Sequence, residues 1–400
     1  MKLNKNFNNL KENYLFAEVA KRVDNYKEQF PSADIISLGI GDVTLPLSSK
    51  AIDACKEAAT DMSTKAGFHG YGPYDGYPFL KNAIVDYYKL RGVEIHADEV
   101  FVTDGAKNGI GNFLDLFDED NTVLIPDPVY PAYVDANVLS GHKILYVDAT
   151  RENGFLAMPP KRTKADIIYI CSPNNPTGAA YNAEQLKAWV DYALENQAVI
   201  FYDAAYEAYI EGKGVVRSIY EITGARDCAV EFCSFSKMAG FTGVRCGWTV
   251  IPMSLPLNRM WLHRQAIKFN GTSYIVQRMA ERMLRGGYED SKRMVASYKN
   301  NAKIVMKKFD ALGIEYTGGV NAPYIWFYCG IDSWEFFDYL LKKARIVCTP
   351  GCGFGKNGNG WVRLTSFNSM ERTEEAMRRF ETFWKEFLDV RDKLFAKLDK

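Results

Sequence analysis

From residue 14 to residue 30 apolar side chains recur at helical spacing, at Phe16, Val19, Ala20, Val23 and Tyr26, which predicts an amphipathic helix. Pro31 stops it, and Ile35-Ile-Ser-Leu38 reads as a short strand. Later, Phe101-Val-Thr reads as a strand end, and Ile167-Ile-Tyr-Ile-Cys171 and Ala198-Val-Ile-Phe201 are short runs rich in β-branched or aromatic residues. Such runs predict parallel strands covered on both faces, where no polar side is needed. Between the last two, Asn182-Ala-Glu-Gln185 has the form of a capping box, predicting a helix that ends near Asn196. Helices and strands alternate over roughly residues 47–265, and a helical stretch follows over 273–312. Three further strands are expected at 324–329, 345–348 and 361–365. Asn368-Ser-Met-Glu371 then caps a last helix whose Met377, Phe380, Trp384, Phe387 and Leu388 form an apolar stripe. The pattern predicts an α/β fold with a large domain, built on a mostly parallel sheet flanked by helices, and a smaller α+β domain. The expected division is an arm and part of the small domain at 1–46, the large domain at 47–272, and an interdomain helix with the small domain at 273–400.

The polar clusters fall where this pattern turns. Ser172-Pro-Asn174-Asn175-Pro-Thr-Gly178 follows one apolar run, and Tyr202-Asp203-Ala-Ala-Tyr206 follows another. Open α/β sheets gather their ligands at the carboxyl ends of their strands. Further on, Ser234-Phe-Ser236-Lys237 is followed by Arg245. One lysine between small hydroxyls and an arginine suits pyridoxal phosphate: the hydroxyls and guanidinium grip the phosphate while the amine bonds the aldehyde. In that reading Asp203 holds the ring nitrogen protonated, and Asn175 and Tyr206 donate to the ring's phenolic oxygen. Singly, these residues are an ordinary strand-end aspartate, an Asn-Pro turn and a packed tyrosine. In this order, ahead of Lys237, they make one chemical set.

At this point the chain resembles the class I and II aminotransferases of fold type I, which depend on pyridoxal phosphate, and within them the LL-diaminopimelate aminotransferases. The resemblance runs over nearly the whole chain, through Glu12-Asn-Tyr14-Leu-Phe16, Leu38-Gly-Ile-Gly41-Asp-Val-Thr44, His69-Gly-Tyr71-Gly72, Thr103-Asp-Gly-Ala-Lys107, Asp127-Pro-Val-Tyr130-Pro, Lys268-Phe-Asn270-Gly-Thr-Ser-Tyr274 and Arg363. It implies that Lys237 is the Schiff-base lysine and that Tyr130 stacks on the pyridine face. It also implies that Ala106 and Lys107 offer backbone N–H groups to a phosphate cup completed by Ser234, Ser236 and Arg245. Tyr71 and Asn270 would reach the neighbouring subunit's site, so a homodimer with shared active sites is expected. Tyr14, Gly41, Lys107, Tyr130, Asn175 and Asn270 would touch substrate, and Arg363 would clamp its α-carboxylate. Two stretches depart from the family pattern: Lys107-Asn108-Gly109, where relatives read Lys-Cys-Asp, and the one at Tyr74-Asp75. Tyr74 stands where relatives carry a glutamate that reads the far end of the donor, and Asp75 is the expected replacement.

The implied reaction moves an amino group between LL-2,6-diaminopimelate and 2-oxoglutarate, giving tetrahydrodipicolinate and glutamate. Alternatives are another donor (aspartate, aromatic or broad range), a β-lyase, or a non-enzymatic binding protein on the same fold. The Gly-rich stretch Gly351-Cys-Gly353-Phe-Gly355-Lys-Asn-Gly358 opens no helix after a first strand, which argues against a dinucleotide site and for a mobile loop beside the substrate. Composition narrows the picture further. Lysine plus arginine and aspartate plus glutamate balance at 49 each, with no run of like charge, so neither nucleic acid nor an anionic membrane surface is indicated. Eight cysteines without a C-x-x-C spacing, and only four histidines, predict reduced thiols and no metal site. Neither a signal peptide nor a membrane-spanning stretch is legible, so a cytoplasmic enzyme of small amino and keto acids is the expectation.

Overall fold

The computed structural model describes residues 1–10 and 14–398. Glu12 and Asn13 lie outside the described residues. The chain begins with α1 (Leu15–Gln29), β1 (Ile36–Ser37), α2 (Ser49–Asp61) and α3 (Pro78–Lys89). It continues with β2 (Val100–Thr103), α4 (Ala106–Phe113), β3 (Thr122–Asp127), α5 (Pro131–Ser140) and β4 (Lys143–Asp148). Next come β5 (Ile167–Cys171), α6 (Ala183–Asn196), β6 (Val199–Asp203), β7 (Ala229–Ser234), α7 (Phe235–Met238) and β8 (Gly247–Val250). Three helices follow, α8 (Leu257–Lys268), α9 (Tyr274–Arg285) and α10 (Tyr288–Leu312). The last part holds β9 (Tyr316–Gly318), β10 (Tyr324–Tyr328), α11 (Ser333–Ala344), β11 (Ile346–Val347), β12 (Thr349–Pro350), β13 (Trp361–Thr365) and α12 (Met370–Leu398).

Seven strands form the larger sheet in the order β2-β8-β7-β6-β5-β3-β4. All pairings are parallel except the two made by β8. Each face carries its own core. Val100 and Val102 turn toward helices α3, α6 and α9, while Phe101 turns toward Phe113 of α4 and Trp261 of α8. That two-sided cover is why β5, β6 and β7 read as unbroken apolar runs. The capping box of α6 forms as expected: Asn182 Oδ1 accepts from Gln185 N, and Gln185 Oε1 accepts from Asn182 N.

A second core lies around the antiparallel sheet β12-β13-β10-β9, covered by α10, α11 and α12. The arm joins it. Leu15 and Val19 of α1 are buried there, and β1 pairs in parallel with β11. Ser369 caps α12, its Oγ accepting from Arg372 N at 3.2 Å.

Two expectations change. The helical stretch over 273–312 is two helices, because Gly286 and Gly287 interrupt it, both N–H groups turning back to the Arg282 carbonyl. Met279, Ala280, Met283 and Leu284 of α9 then pack in the larger sheet's core. The Gly-rich segment is also no loose loop. It forms short turns at Gly351–Phe354 and Lys356–Gly358. The Asp127 carboxylate, at the end of β3, accepts the backbone N–H groups of Lys356 at 3.0 Å and Asn357 at 3.2 Å. Main-chain donors satisfying a buried carboxylate hold the two sheets' loops together.

Candidate active site

Four strands of the larger sheet end on one edge, and the chain turns there with polar residues. At the end of β7, Ser234 Oγ accepts from Ser236 N at 3.0 Å and so caps the single turn of α7. The turn aims Lys237 into a cavity of about 280 Å³. Its wall contains every expected cofactor residue except Tyr71 and Asn270: Ala106, Lys107, Tyr130, Asn175, Asp203, Tyr206, Ser234, Ser236, Lys237 and Arg245. Lys237 is half-buried, donates from Nζ to the Gly41 carbonyl, and lies 5.1 Å from the centre of the Phe367 ring. Burial lowers its pKa to about 8; Arg363 and Arg245 push the same way and Asp42 opposes. A minority of this amine, about a tenth to a fifth, is therefore neutral near physiological pH, far more than for an ordinary lysine.

One end of the cavity suits an anion. Gly105, with φ of 108°, turns the chain from β2 into α4, so Ala106 and Lys107 begin the helix with N–H groups that lack helical partners. Arg245 closes this end, donating from Nη1 to Ser236 Oγ at 3.4 Å and to the Thr242 carbonyl at 3.0 Å. Its backbone sits at φ of 68°, an uncommon conformation for a side chain of this size. A Cβ at Gly105 would come within 2.6 Å of Arg245 Nη2, so glycine is required there.

The opposite chemistry stands at Asp203, the last residue of β6. Its Oδ1 accepts from Ala205 N at 3.0 Å, and its Oδ2 accepts from the Tyr133 hydroxyl. Burial raises its pKa and these two hydrogen bonds restrain the rise. Among the described residues no cation pairs with it. A buried carboxylate answered only by neutral donors is suited to a cationic group brought in by a ligand.

Arg363, on β13, is wholly buried. It does not line the cavity itself but reaches the wall through Asn175, whose Oδ1 accepts from Nη1 at 2.6 Å. Nη2 donates to the Gly39 carbonyl at 2.7 Å, while Nε has no hydrogen-bond partner. The rings of Tyr324, Phe354 and Phe16 surround the guanidinium at 4.5, 4.9 and 5.5 Å. No carboxylate is paired with it among the described residues, so it is not a locally neutralised strand arginine. Gly41 lies against the same group; a Cβ there would come within 2.8 Å of the Tyr324 hydroxyl.

Four expected residues stand elsewhere. Tyr14 borders an adjoining cavity of about 850 Å³, with Lys107 Nζ 5.4 Å from its ring centre. Tyr71 and Asn270 are exposed and outside the cavity of their own chain. Asp75 lies outside this cavity as well: its carboxylate takes the Lys81 ammonium of α3, a side chain only 7 % exposed. Two residues were missed. Tyr133 follows Tyr130 by three positions on α5, and that helical spacing could have suggested a shared wall. Tyr324 opens β10 and has no local signal at all.

The donor set fits pyridoxal phosphate. A helix start, two serines and an arginine answer the phosphate, a buried uncompensated carboxylate answers the ring nitrogen, and a lysine of lowered pKa answers the aldehyde. No group of histidine, cysteine or carboxylate side chains able to hold a metal occurs among the described residues, and Cys55, Cys171, Cys228, Cys233, Cys246, Cys329 and Cys348 are free thiols.

The chain matches the family model for aminotransferase class I and II over residues 33–380. It is 46% identical to an LL-diaminopimelate aminotransferase of Methanosphaera stadtmanae, over 95% of this chain and 98% of that one. It is 48% identical to a protein of the same name from Prochlorococcus marinus, with the same coverage. The solved LL-diaminopimelate aminotransferase of Chlamydomonas reinhardtii superposes with a TM-score of 0.91 at 40% identity, covering 96% of this chain and 98% of that one. With its cavity, its lysine and its fold in agreement, the chain belongs to the class I and II aminotransferases and is a pyridoxal-phosphate-dependent enzyme of fold type I.

Proposed function

We propose that this enzyme transfers an amino group between LL-2,6-diaminopimelate and 2-oxoglutarate, giving tetrahydrodipicolinate and glutamate in lysine biosynthesis. The observation that carries the chemistry is the pair of buried, uncompensated charges near Lys237: Asp203 in the wall of its cavity, and Arg363 behind that wall and close enough to act on the amine. The extent of identity to the diaminopimelate aminotransferases supports the choice of donor.

When bound, pyridoxal phosphate supplies an electron sink that makes the α-proton of an amino acid removable. Lys237 Nζ takes that proton, holds it and returns it. Its lowered pKa keeps enough of the amine neutral to act as a base and enough of the ammonium to act as an acid. Asp203 would keep a proton on the ring nitrogen, its carboxylate held by the Tyr133 hydroxyl. Asn175 and Tyr206 would donate to the phenolic oxygen. Ser234, Ser236, Arg245 and the first N–H groups of α4 would hold the phosphate, and Tyr130 would pack on the ring. Arg363 binds the α-carboxylate of either substrate, trading solvation by aromatic faces for a bidentate ion pair. The boundaries 1–46, 47–272 and 273–400 remain our proposal for the arm, large domain and small domain. We assign a cytoplasmic homodimer in which the exposed Tyr71 and Asn270 of one subunit complete the partner subunit's site. Among the described residues no helix is long and apolar enough to cross a membrane.

The test is a half-reaction. The enzyme loaded with pyridoxal phosphate is mixed with LL-diaminopimelate, the meso isomer, aspartate or an aromatic amino acid, and the visible band is followed. Rapid loss of the band with LL-diaminopimelate, and its return on adding 2-oxoglutarate, is the expected result. Faster conversion by aspartate or an aromatic donor would move the enzyme to another donor class.

A further inference from the structure

Behind the cavity wall, four side chains from four separate segments form a closed circuit. Arg363 Nη1 donates to Asn175 Oδ1 at 2.6 Å, and Asn175 Nδ2 donates to the Tyr206 hydroxyl at 3.4 Å. The Tyr206 and Tyr324 hydroxyl oxygens are 2.8 Å apart. The Tyr324 ring returns to Arg363, whose guanidinium carbon stands 4.5 Å from its centre.

The protons in this circuit can be assigned. A guanidinium only donates, so the Asn175 amide must turn its oxygen to Arg363 and its NH₂ to Tyr206. The Tyr206 oxygen is thus already an acceptor. It has one proton of its own, which goes either to Tyr324 or into the cavity. Burial holds both phenols well protonated, so neither serves as an anion here. If Tyr206 donated to Tyr324, the Tyr324 proton would be left with no acceptor, because among the described residues Tyr206 is the one hydrogen-bond partner its hydroxyl has. If Tyr324 donates to Tyr206, both protons find work, and the Tyr206 O–H points at the ligand.

We propose that Tyr324 is a positioning residue: it donates its proton to Tyr206 and so commits the Tyr206 hydroxyl to the phenolic oxygen of the cofactor, while its ring face supports the carboxylate-binding Arg363. This rests on the functional reading above, in which Tyr206 touches that oxygen. A hydroxyl that accepts two hydrogen bonds becomes a stronger donor, since each polarises the next. Tyr324 therefore joins the cofactor's proton balance to the substrate's carboxylate clamp. The other ionisable groups facing this pair are Arg363 from β13, Cys171 from β5, Asp203 from β6, Tyr130 just before α5, and Tyr209 just after Tyr206 in the chain. Those acting on Lys237 are Asp42, Arg363 and Arg245. None of them is altered by removing one hydroxyl.

The experiment is a spectrophotometric pH titration of the holoenzyme, with steady-state kinetics beside it. In Tyr324→Phe the Tyr206 donor weakens, the phenolic anion is held less well, and the midpoint of the visible absorbance change rises by about half a unit to one unit. The kept ring leaves the KM for LL-diaminopimelate within about twofold, while kcat falls by about three- to tenfold. In Tyr324→Leu the ring face is lost as well, and KM rises together with the midpoint. A double variant, Tyr206→Phe with Tyr324→Phe, shows the same midpoint as Tyr206→Phe alone, because the second hydroxyl acts through the first. An unmoved midpoint in Tyr324→Phe with full cofactor content, or an additive shift in the double variant, overturns the proposal. A wild-type protein that takes up no pyridoxal phosphate overturns the reading of the site, and this proposal with it. A wild type that does take it up, with an unmoved midpoint in the variant, overturns this proposal alone.

Discussion

The wall proposed to grip the cofactor and the wall proposed to receive the substrate carboxylate meet at Lys237, and they are assembled in opposite ways. The first is made of strand ends. β2, β5, β6 and β7 stop at one sheet edge, where the last residues of β6 and β7 supply Asp203 and Ser234 and the residues just after β2 and β5 supply Ala106 and Asn175. Its charges are met by short local bonds, such as Ser236 N to Ser234 Oγ and Arg245 to Thr242. The second wall is made of distant segments: the arm at Gly39 and Gly41, β10 at Tyr324 and β13 at Arg363. There the cation is wholly buried, ringed by aromatic faces, and answered only by neutral acceptors. The first wall is preorganised by backbone. The second holds a charge in reserve for a ligand, and depends on side chains that hold one another.

The comparison breaks most sharply at the residue common to both walls. Lys237→Ala should leave the fold intact, by circular dichroism, and lower transamination of LL-diaminopimelate by more than about a thousandfold, since nucleophile and proton carrier are lost together. Turnover near the wild-type rate would mean that another base moves the proton. Arg363→Lys tests the reserved charge. A point-like ammonium cannot reach Asn175 and Gly39 while forking a carboxylate, so kcat/KM should fall by about ten- to a hundredfold with cofactor content unchanged. Loss of cofactor in that variant would show that the two walls are one unit.

Tyr133→Phe sharpens the first wall. Burial already raises the Asp203 pKa, and the Tyr133 hydrogen bond restrains it. Removing that bond raises the folded-state pKa further, so the carboxylate is lost at a higher pH. The acid limb of the rate profile should move upward by about half a unit to one unit, with the rate above that limb nearly kept. A downward shift of the limb contradicts the assignment. The smallest catalytic effect is expected at Asp75. Asp75→Asn strips Lys81 of its partner, so the melting temperature should fall by an amount corresponding to about 1–3 kcal/mol. The ratio of kcat/KM for LL-diaminopimelate to that for glutamate should stay within about twofold of the wild type. A selective loss of the diaminopimelate reaction would return Asp75 to the substrate's far end.

The same contrast explains what the chain discloses before it folds. Each cofactor residue follows its own apolar run by a few positions, so periodicity and turn chemistry brought Asn175, Asp203 and Ser234 to one edge without any long-range information. The α6 capping box is equally local and forms as written. Tyr324, by contrast, matters because it stands beside Gly41, Tyr206 and Arg363, residues far apart in the chain. No local pattern encodes such a meeting. The pairing of Asp75 with Lys81, six residues on, was not read from the sequence for a related reason: it depends on how the loop before α3 folds back. The helix break at Gly286 and Gly287 was legible in the residues themselves, but the amphipathic spacing on both sides masked it.

The central claim is that a single lysine holds the cofactor inside this cavity. Borohydride reduction of the loaded enzyme, followed by peptide mapping, tests it directly. The account predicts one pyridoxyl group per chain, on the peptide that contains Lys237, together with loss of activity. A label on Lys107, which also faces the cavity, or on no lysine of its wall, would contradict it.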